Sequence, residues 1–172
     1  MDISAATVND RVAAQILRLR ALRGLSLQAL AELSGVSRSM ISVIERAAAS
    51  PTAVVLERLA TALGVPLAEL FDARSTPGVA SSPVARRRHQ AEWQDPASGY
   101  RRRNVSPPQS LAPFRIVEVE FPAGAQVAFE TTVRNPPLHQ QVWVLAGQIC
   151  IAVGAATYQL ERGDCLTKDI RG

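Results

Sequence analysis

The stretch that most constrains this chain is residues 26–46, SLQALAELSGVSRSMISVIER. Two short helical periods flank Gly35, a residue that tolerates φ > 0 and so lets the chain reverse within a few residues. Ala31 is small where two helices must approach closely. Val36, Ile41 and Ile44 have the spacing to fill the wedge between them. Taken singly, each is ordinary core. Their joint spacing specifies two helices joined by a tight turn, a helix-turn-helix. Ser26 and Ser37 stand where hydroxyls can N-cap the two helices.

Helical periodicity continues on both sides. Val12, Ile16 and Leu19 fall at i, i+4, i+7, and Leu56, Leu59, Ala60 and Leu63 repeat the pattern. Gly24 ends the first helix and Gly64 the fourth. Ser50-Pro51 puts a capping hydroxyl before a proline at the first helical position. Pro66 opens a short fifth helix. The reading predicts helices near 7–23, 27–34, 38–46, 51–63 and 67–71, an all-α domain over residues 1–72.

Beyond it the texture changes. Residues 73–84, ARSTPGVASSPV, read as a linker rich in small residues, Ser and Pro. Residues 85–172 read as short strands: 114–121, then 142–145 and 148–153 as a hairpin around Ala146-Gly147, then 157–160 before a Gly163-Asp164 turn. Strands at this spacing suggest a sandwich or barrel. The expected fold class is α + β in two domains, five helices followed by an all-β domain.

Charge does not single out the helical domain. The chain carries a formal net charge of +4, but residues 1–72 hold seven basic and seven acidic side chains. The excess lies in Arg86–Arg88 and Arg101–Arg103, for which a solvated face, a dimer contact and an added DNA contact all stand open. No apolar run reaches the ~20 residues that span a bilayer, and the N-terminus has no secretory pattern. A cytoplasmic protein is expected, with no membrane partner. In a reducing cytosol Cys150 and Cys165 are expected as buried free thiols rather than a disulfide.

Over residues 9–71 the sequence resembles the XRE family, the lambda-repressor-like helix-turn-helix regulators. Leu30, Ala31, Gly35, Val36, Ile41 and Glu45 match its motif in register. The resemblance implies a transcriptional regulator binding double-stranded DNA, with the third helix in the major groove. Its N-terminal face then presents Ser37, Arg38, Ser39, Ser42 and Val43. Arg38 is the candidate for a bidentate guanine contact. Ser26, Leu27 and Gln28 start the second helix, where backbone N–H groups can hold a phosphate. Leu27 replaces a glutamine common in the family, which shifts the polar role to Gln28. Arg46 completes the expected DNA-binding set. Arg20 and Glu45 match a family ion pair that braces the recognition helix, a structural role. Ala47 stands where the family has glycine, so it is strained if that position requires φ > 0.

Residues 85–172 resemble a cupin domain, on NPPLHQQVWVLAGQICIAVGAATYQLERGDCL. His139 and Gly147 fit the frame of the first cupin motif, but the second ligand position is Gln141 and the glutamate is missing. The resemblance implies a small β-barrel, incomplete at its C-terminal end, that senses a small-molecule effector and dimerises. His139, Gln141, Trp143, Leu145, Ile149 and Cys150 are the expected pocket residues. With two histidines in the whole chain, three convergent metal ligands are not expected. No catalytic residue, metal or cofactor is predicted. The leading reading is a homodimeric, effector-responsive regulator. A phage-repressor or antitoxin-like protein without ligand input and a metal-dependent cupin enzyme with a DNA-binding head are the alternatives.

Overall fold

The computed structural model describes residues 7–71, 82–108, 114–129 and 138–170. Of the expected linker, residues 73–81 lie outside the described residues. By internal contacts the chain divides into two compact units, residues 1–130 and 131–172.

The first unit begins with four α-helices: α1 Val8–Leu22, α2 Leu27–Ser34, α3 Arg38–Glu45 and α4 Ala53–Ala62. Helix α1 starts in a capping box. The Thr7 hydroxyl accepts from the Asp10 N–H, and the Asp10 carboxylate accepts from the Thr7 N–H. This satisfies two donors that the helix would otherwise leave unpaired. Ser26 and Ser37 cap α2 and α3 as expected, accepting from the Ala29 N–H at 3.0 Å and the Met40 N–H at 3.2 Å. Helix α4 differs. Its N-cap is Thr52 rather than Ser50, and Pro51 precedes the helix instead of opening it. The Ser50 hydroxyl turns to Asn9 on α1, at 3.4 Å.

The fifth expected α-helix is a 3-10 helix, Leu67–Phe71. The described residues therefore hold four α-helices, not five. The short segment opens on an i→i+3 bond, from the Glu69 N–H to the Pro66 carbonyl at 2.9 Å. It buries four of its five side chains, Leu67, Ala68, Leu70 and Phe71. Burial on that many sides favours a tight, short turn over a one-sided amphipathic helix.

Ile16, Leu30, Ile41, Ile44, Leu56, Leu59 and Leu63 are fully buried. Each such side chain contributes roughly 1.5–3 kcal/mol over an exposed one. Trp93 and Tyr100, from beyond the helices, join the same core cluster. They sit on or beside a three-stranded antiparallel sheet in the order β1 (Glu92–Gln94), β2 (Arg101–Asn104), β3 (Val117–Glu120). The sheet is bound to the helices through aromatic and polar contacts. Phe71 and Trp93 lie with centroids 5.6 Å apart, and Trp93 meets Tyr100 edge-on at 5.8 Å. The Arg102 guanidinium lies over the Phe71 ring at 5.6 Å. Asn104 donates to the Ala68 carbonyl at 3.0 Å.

The three central arginines therefore have separate fates. Arg101 pairs with Glu120 across the sheet. Arg103 pairs with Glu118 and with Glu92. Arg102 is half-buried against the helices, and desolvation lowers its pKa from the ordinary arginine value. Arg86–Arg88 remain exposed around a short 3-10 turn, Arg87–His89.

The second unit contains β4 (Leu138–Trp143), β5 (Gln148–Val153), β6 (Ala156–Glu161) and β7 (Cys165–Ile170). The expected hairpin around Ala146-Gly147 does not form. β4 pairs with β7, from Leu138↔Ile170 to Trp143↔Cys165, and β5 pairs with β6. The hairpin turn is Gly154-Ala155, where Gly154 has φ 58°. A two-residue turn with a positive φ at its first position matches the right-handed twist of the strands it joins. Ala146-Gly147 instead links two separate sheets. Among the described residues no sheet closes into a barrel.

Candidate nucleic-acid interface

Helix α3 has two unlike sides. Ile41 and Ile44 are buried against the other helices, while Ser37, Arg38 and Ser39 are exposed and Ser42 and Val43 half-exposed. At 100° per residue, residues 38, 39, 42 and 43 fall on the side opposite residues 41 and 44. Met40 lies at the edge of this face, one turn before Val43, and is 43% exposed. From the sequence alone Met40 carries no surface role. Its place beside Val43 on the helical wheel was the available signal.

The polar groups of this face are already organised. The Ser37 hydroxyl caps the helix and lies 3.2 Å from that of Ser39. Arg46 donates to the Ser42 hydroxyl at 2.7 Å, across one helical turn. At the start of α2, Ser26 and Gln28 are exposed, and Gln28 donates to Glu32 at 2.9 Å. Leu27 is half-buried and packs on the core.

The Arg20–Glu45 pair holds the far end of α3. Arg20 donates Nε to Glu45 Oε1 at 2.6 Å and a terminal nitrogen to Oε2 at 2.8 Å, and its other terminal nitrogen donates to the Leu25 carbonyl at 2.9 Å. The two side chains are 16% and 8% exposed. The hydrogen bond to Glu45 raises the Arg20 pKa above its ordinary value. A planar fork on a carboxylate fixes direction as well as distance. The pair therefore fixes the end of α3 relative to α1.

Two residues later the backbone of Ala47 lies at φ 54°, the one non-glycine residue with positive φ among the described residues. Its N–H donates to the Ile44 carbonyl at 2.8 Å. The Cβ of Ala47 is therefore strained by its left-handed backbone. Gly35, at φ 66°, makes the corresponding reversal between α2 and α3 without a Cβ.

The expected pocket residues are not gathered into an enclosed site. His139, Gln141 and Trp143 alternate along β4, so they share one face of that strand. All three are exposed, Trp143 by 65%. Leu145 follows β4 and is exposed, while Ile149 and Cys150 lie on β5 in the other sheet, pointing to opposite faces. Cys150 and Cys165 are free, and both are exposed rather than buried. Two-stranded sheets leave their faces open, so residues expected to line an interior stand at the surface. Among the described residues no group of three His, Cys, Asp or Glu side chains is placed to hold a metal ion. No helix among them is long and apolar enough to cross a membrane.

The HTH-type transcriptional regulator SutR of Escherichia coli is 51% identical over 49 residues, 28% of this chain and 28% of the length of that relative. The crystal structure of an HTH_3 family transcriptional regulator from Vibrio cholerae aligns over 94% of this chain and 84% of its own, with a TM-score of 0.67 and 24% identity, and so shares its fold. The restriction-modification controller protein C.AhdI from Aeromonas hydrophila is 36% identical over 37% of this chain and 96% of its own, with a TM-score of 0.36. Residues 16–70 match the family model HTH_3, described as helix-turn-helix. The N-terminal helices of this chain are a helix-turn-helix domain of the HTH_3 type.

Proposed function

We propose that this protein is a sequence-specific DNA-binding transcriptional regulator that inserts α3 into the major groove. The carrying observation is the division of α3: Ile41 and Ile44 anchor it while Arg38, Ser39, Ser42 and Val43 face outward. A helix held this way offers hydrogen-bond donors and a small apolar side chain to base edges. Arg38 reads guanine, and Val43 meets a thymine methyl. The capped N-terminus of α2, with Gln28, seats on a phosphate.

In this reading two copies bind a pseudo-palindromic operator with half-sites about one helical turn, ~34 Å, apart. An effector acts through residues 138–170, on the β4 face that carries His139, Gln141 and Trp143.

The test is selection from a random duplex library by the full chain, followed by fluorescence anisotropy across salt. An enriched two-fold motif, bound more weakly as salt rises, is the expected result. Failure to enrich any sequence overturns the DNA reading. A single unrepeated half-site, bound by one copy in sedimentation, overturns the dimer. A metabolite panel that shifts neither the melting temperature nor the affinity removes the effector.

A further inference from the structure

The recognition helix is followed by a loop, residues 46–52, that ends at the N-terminus of α4. Its first half is bonded to α3, with the Ala47 N–H on the Ile44 carbonyl at 2.8 Å and the Ala48 N–H on the Val43 carbonyl at 3.1 Å, while its end at α4 has weaker local ties. Thr52 reaches the Val55 N–H only at 3.4 Å, and Ala47 is held at positive φ. The first N–H groups of α4 need partners from elsewhere, as at any helix start. One comes from far along the chain. Asp95, at the end of β1 and 2% exposed, accepts from the Ala53 N–H at 2.9 Å.

Asp95 is itself locked in place. Its second oxygen accepts from the N–H and hydroxyl of Ser98. Its backbone accepts from the Gly99 N–H and donates to the Tyr100 carbonyl, both at 2.8 Å. The turn 95–100 is thus a rigid mount for one carboxylate. A negative charge there also complements the positive end of α4. At the other end of the same segment Asn104, on β2, holds the Ala68 carbonyl. Two polar clasps from one small sheet bracket α4 and the turn behind it.

We infer that Asp95 is a positioning residue for DNA binding: it fixes the start of α4, and with it the far end of the loop whose near end is bonded to the recognition helix. This rests on the DNA reading above. It makes the sheet that follows the helices part of the DNA-binding head.

The experiment uses the full chain and the duplex that wild type enriches. Failure of wild type to enrich a duplex overturns the DNA reading and the inference together. If wild type binds, Asp95→Ala and the milder Asp95→Asn are compared at a temperature where circular dichroism shows each fully folded. Weaker binding, by up to about tenfold, is expected for Asp95→Ala, the ceiling reached if the whole of one charge-assisted hydrogen bond is coupled to the bound state. The double variant Asp95→Ala/Thr52→Asp places a carboxylate cap on α4 without the tether to the sheet. It is expected to regain melting temperature but not affinity, a split that a purely stabilising role does not produce. Unchanged affinity in the folded single variants, or full recovery of affinity in the double variant, overturns the inference while leaving the DNA reading intact. Should Asp95→Ala fail to fold, Asp95→Ser, which also lacks the carboxylate, decides by the same comparison.

Discussion

Arg20 and Glu45 lie 25 residues apart and meet through two parallel hydrogen bonds of 2.6 and 2.8 Å. Both side chains are largely out of water, so removing one strands the other. Glu45→Ala is expected to destabilise the helical domain by about 3–5 kcal/mol, most of it the cost of an unpaired buried guanidinium. Urea denaturation of the two proteins measures it. A loss under about 1 kcal/mol, the range of exposed pairs, means that water reaches the pair freely.

Ala47 carries a Cβ in the left-handed region, at φ 54°. That conformation costs an L-residue roughly 1–2 kcal/mol. Ala47→Gly relieves it, at the expense of a more flexible unfolded chain. A net gain of about 1 kcal/mol is expected, visible as a higher melting temperature. A lower one shows that the loop relaxes to negative φ in solution.

Arg38 leads the outward face of α3 and is exposed. Arg38→Ala is expected to weaken binding to the selected duplex by about 1–3 kcal/mol and to relax preference at one base pair. A phosphate contact alone gives a different result: uniform weakening across sequences, with a salt slope shallower by about one. Anisotropy on matched and singly mismatched duplexes separates the two.

Asp95 sets an acid limb of stability. Burial opposes its ionisation, but hydrogen bonds from the Ser98 hydroxyl and from the N–H groups of Ala53, Ser98 and Ala97 outweigh it and lower its pKa below the ordinary 3.8. A depressed folded pKa gives stability that is complete above the unfolded value and lost as pH falls through the folded one. Wild type is therefore expected to lose stability below about pH 4, and Asp95→Asn to lose less over that interval. Parallel curves for the two proteins show that other carboxylates set the limb.

Trp93 joins the helical core from β1 and is 5% exposed. Trp93→Ala is expected to cost about 3–5 kcal/mol, lowering the melting of the helices themselves. Helical melting followed at 222 nm reads this directly. An unchanged transition means that the sheet docks without supporting the helices.

Much of the helical half was readable from the chain. Ser26, Ser37, Gly35 and Ala47 act through bonds and dihedrals within a few residues of themselves, so their roles follow from local order. Arg20 and Glu45 were found through resemblance, and the structure supplies their geometry. The strands were less readable. Ala146-Gly147 and Gly154-Ala155 are both glycine-containing two-residue junctions between apolar runs, and alternation alone does not say which closes a hairpin. Met40 is not legible as a surface residue, because an apolar side chain on an amphipathic helix reads as core until its exposure is known.

By itself the sequence determined the helix-turn-helix, its caps, its buried stripe and the outward face of α3. These depend on short-range hydrogen bonds and on a 3.6-residue period. Only the tertiary structure decided that β4 meets β7, that Trp93 and Tyr100 complete the helical core, and that Asp95 caps α4. Each of those needs a partner dozens of residues or a different element away. Which partner wins is set by the competition of whole surfaces for burial, and no local pattern records it.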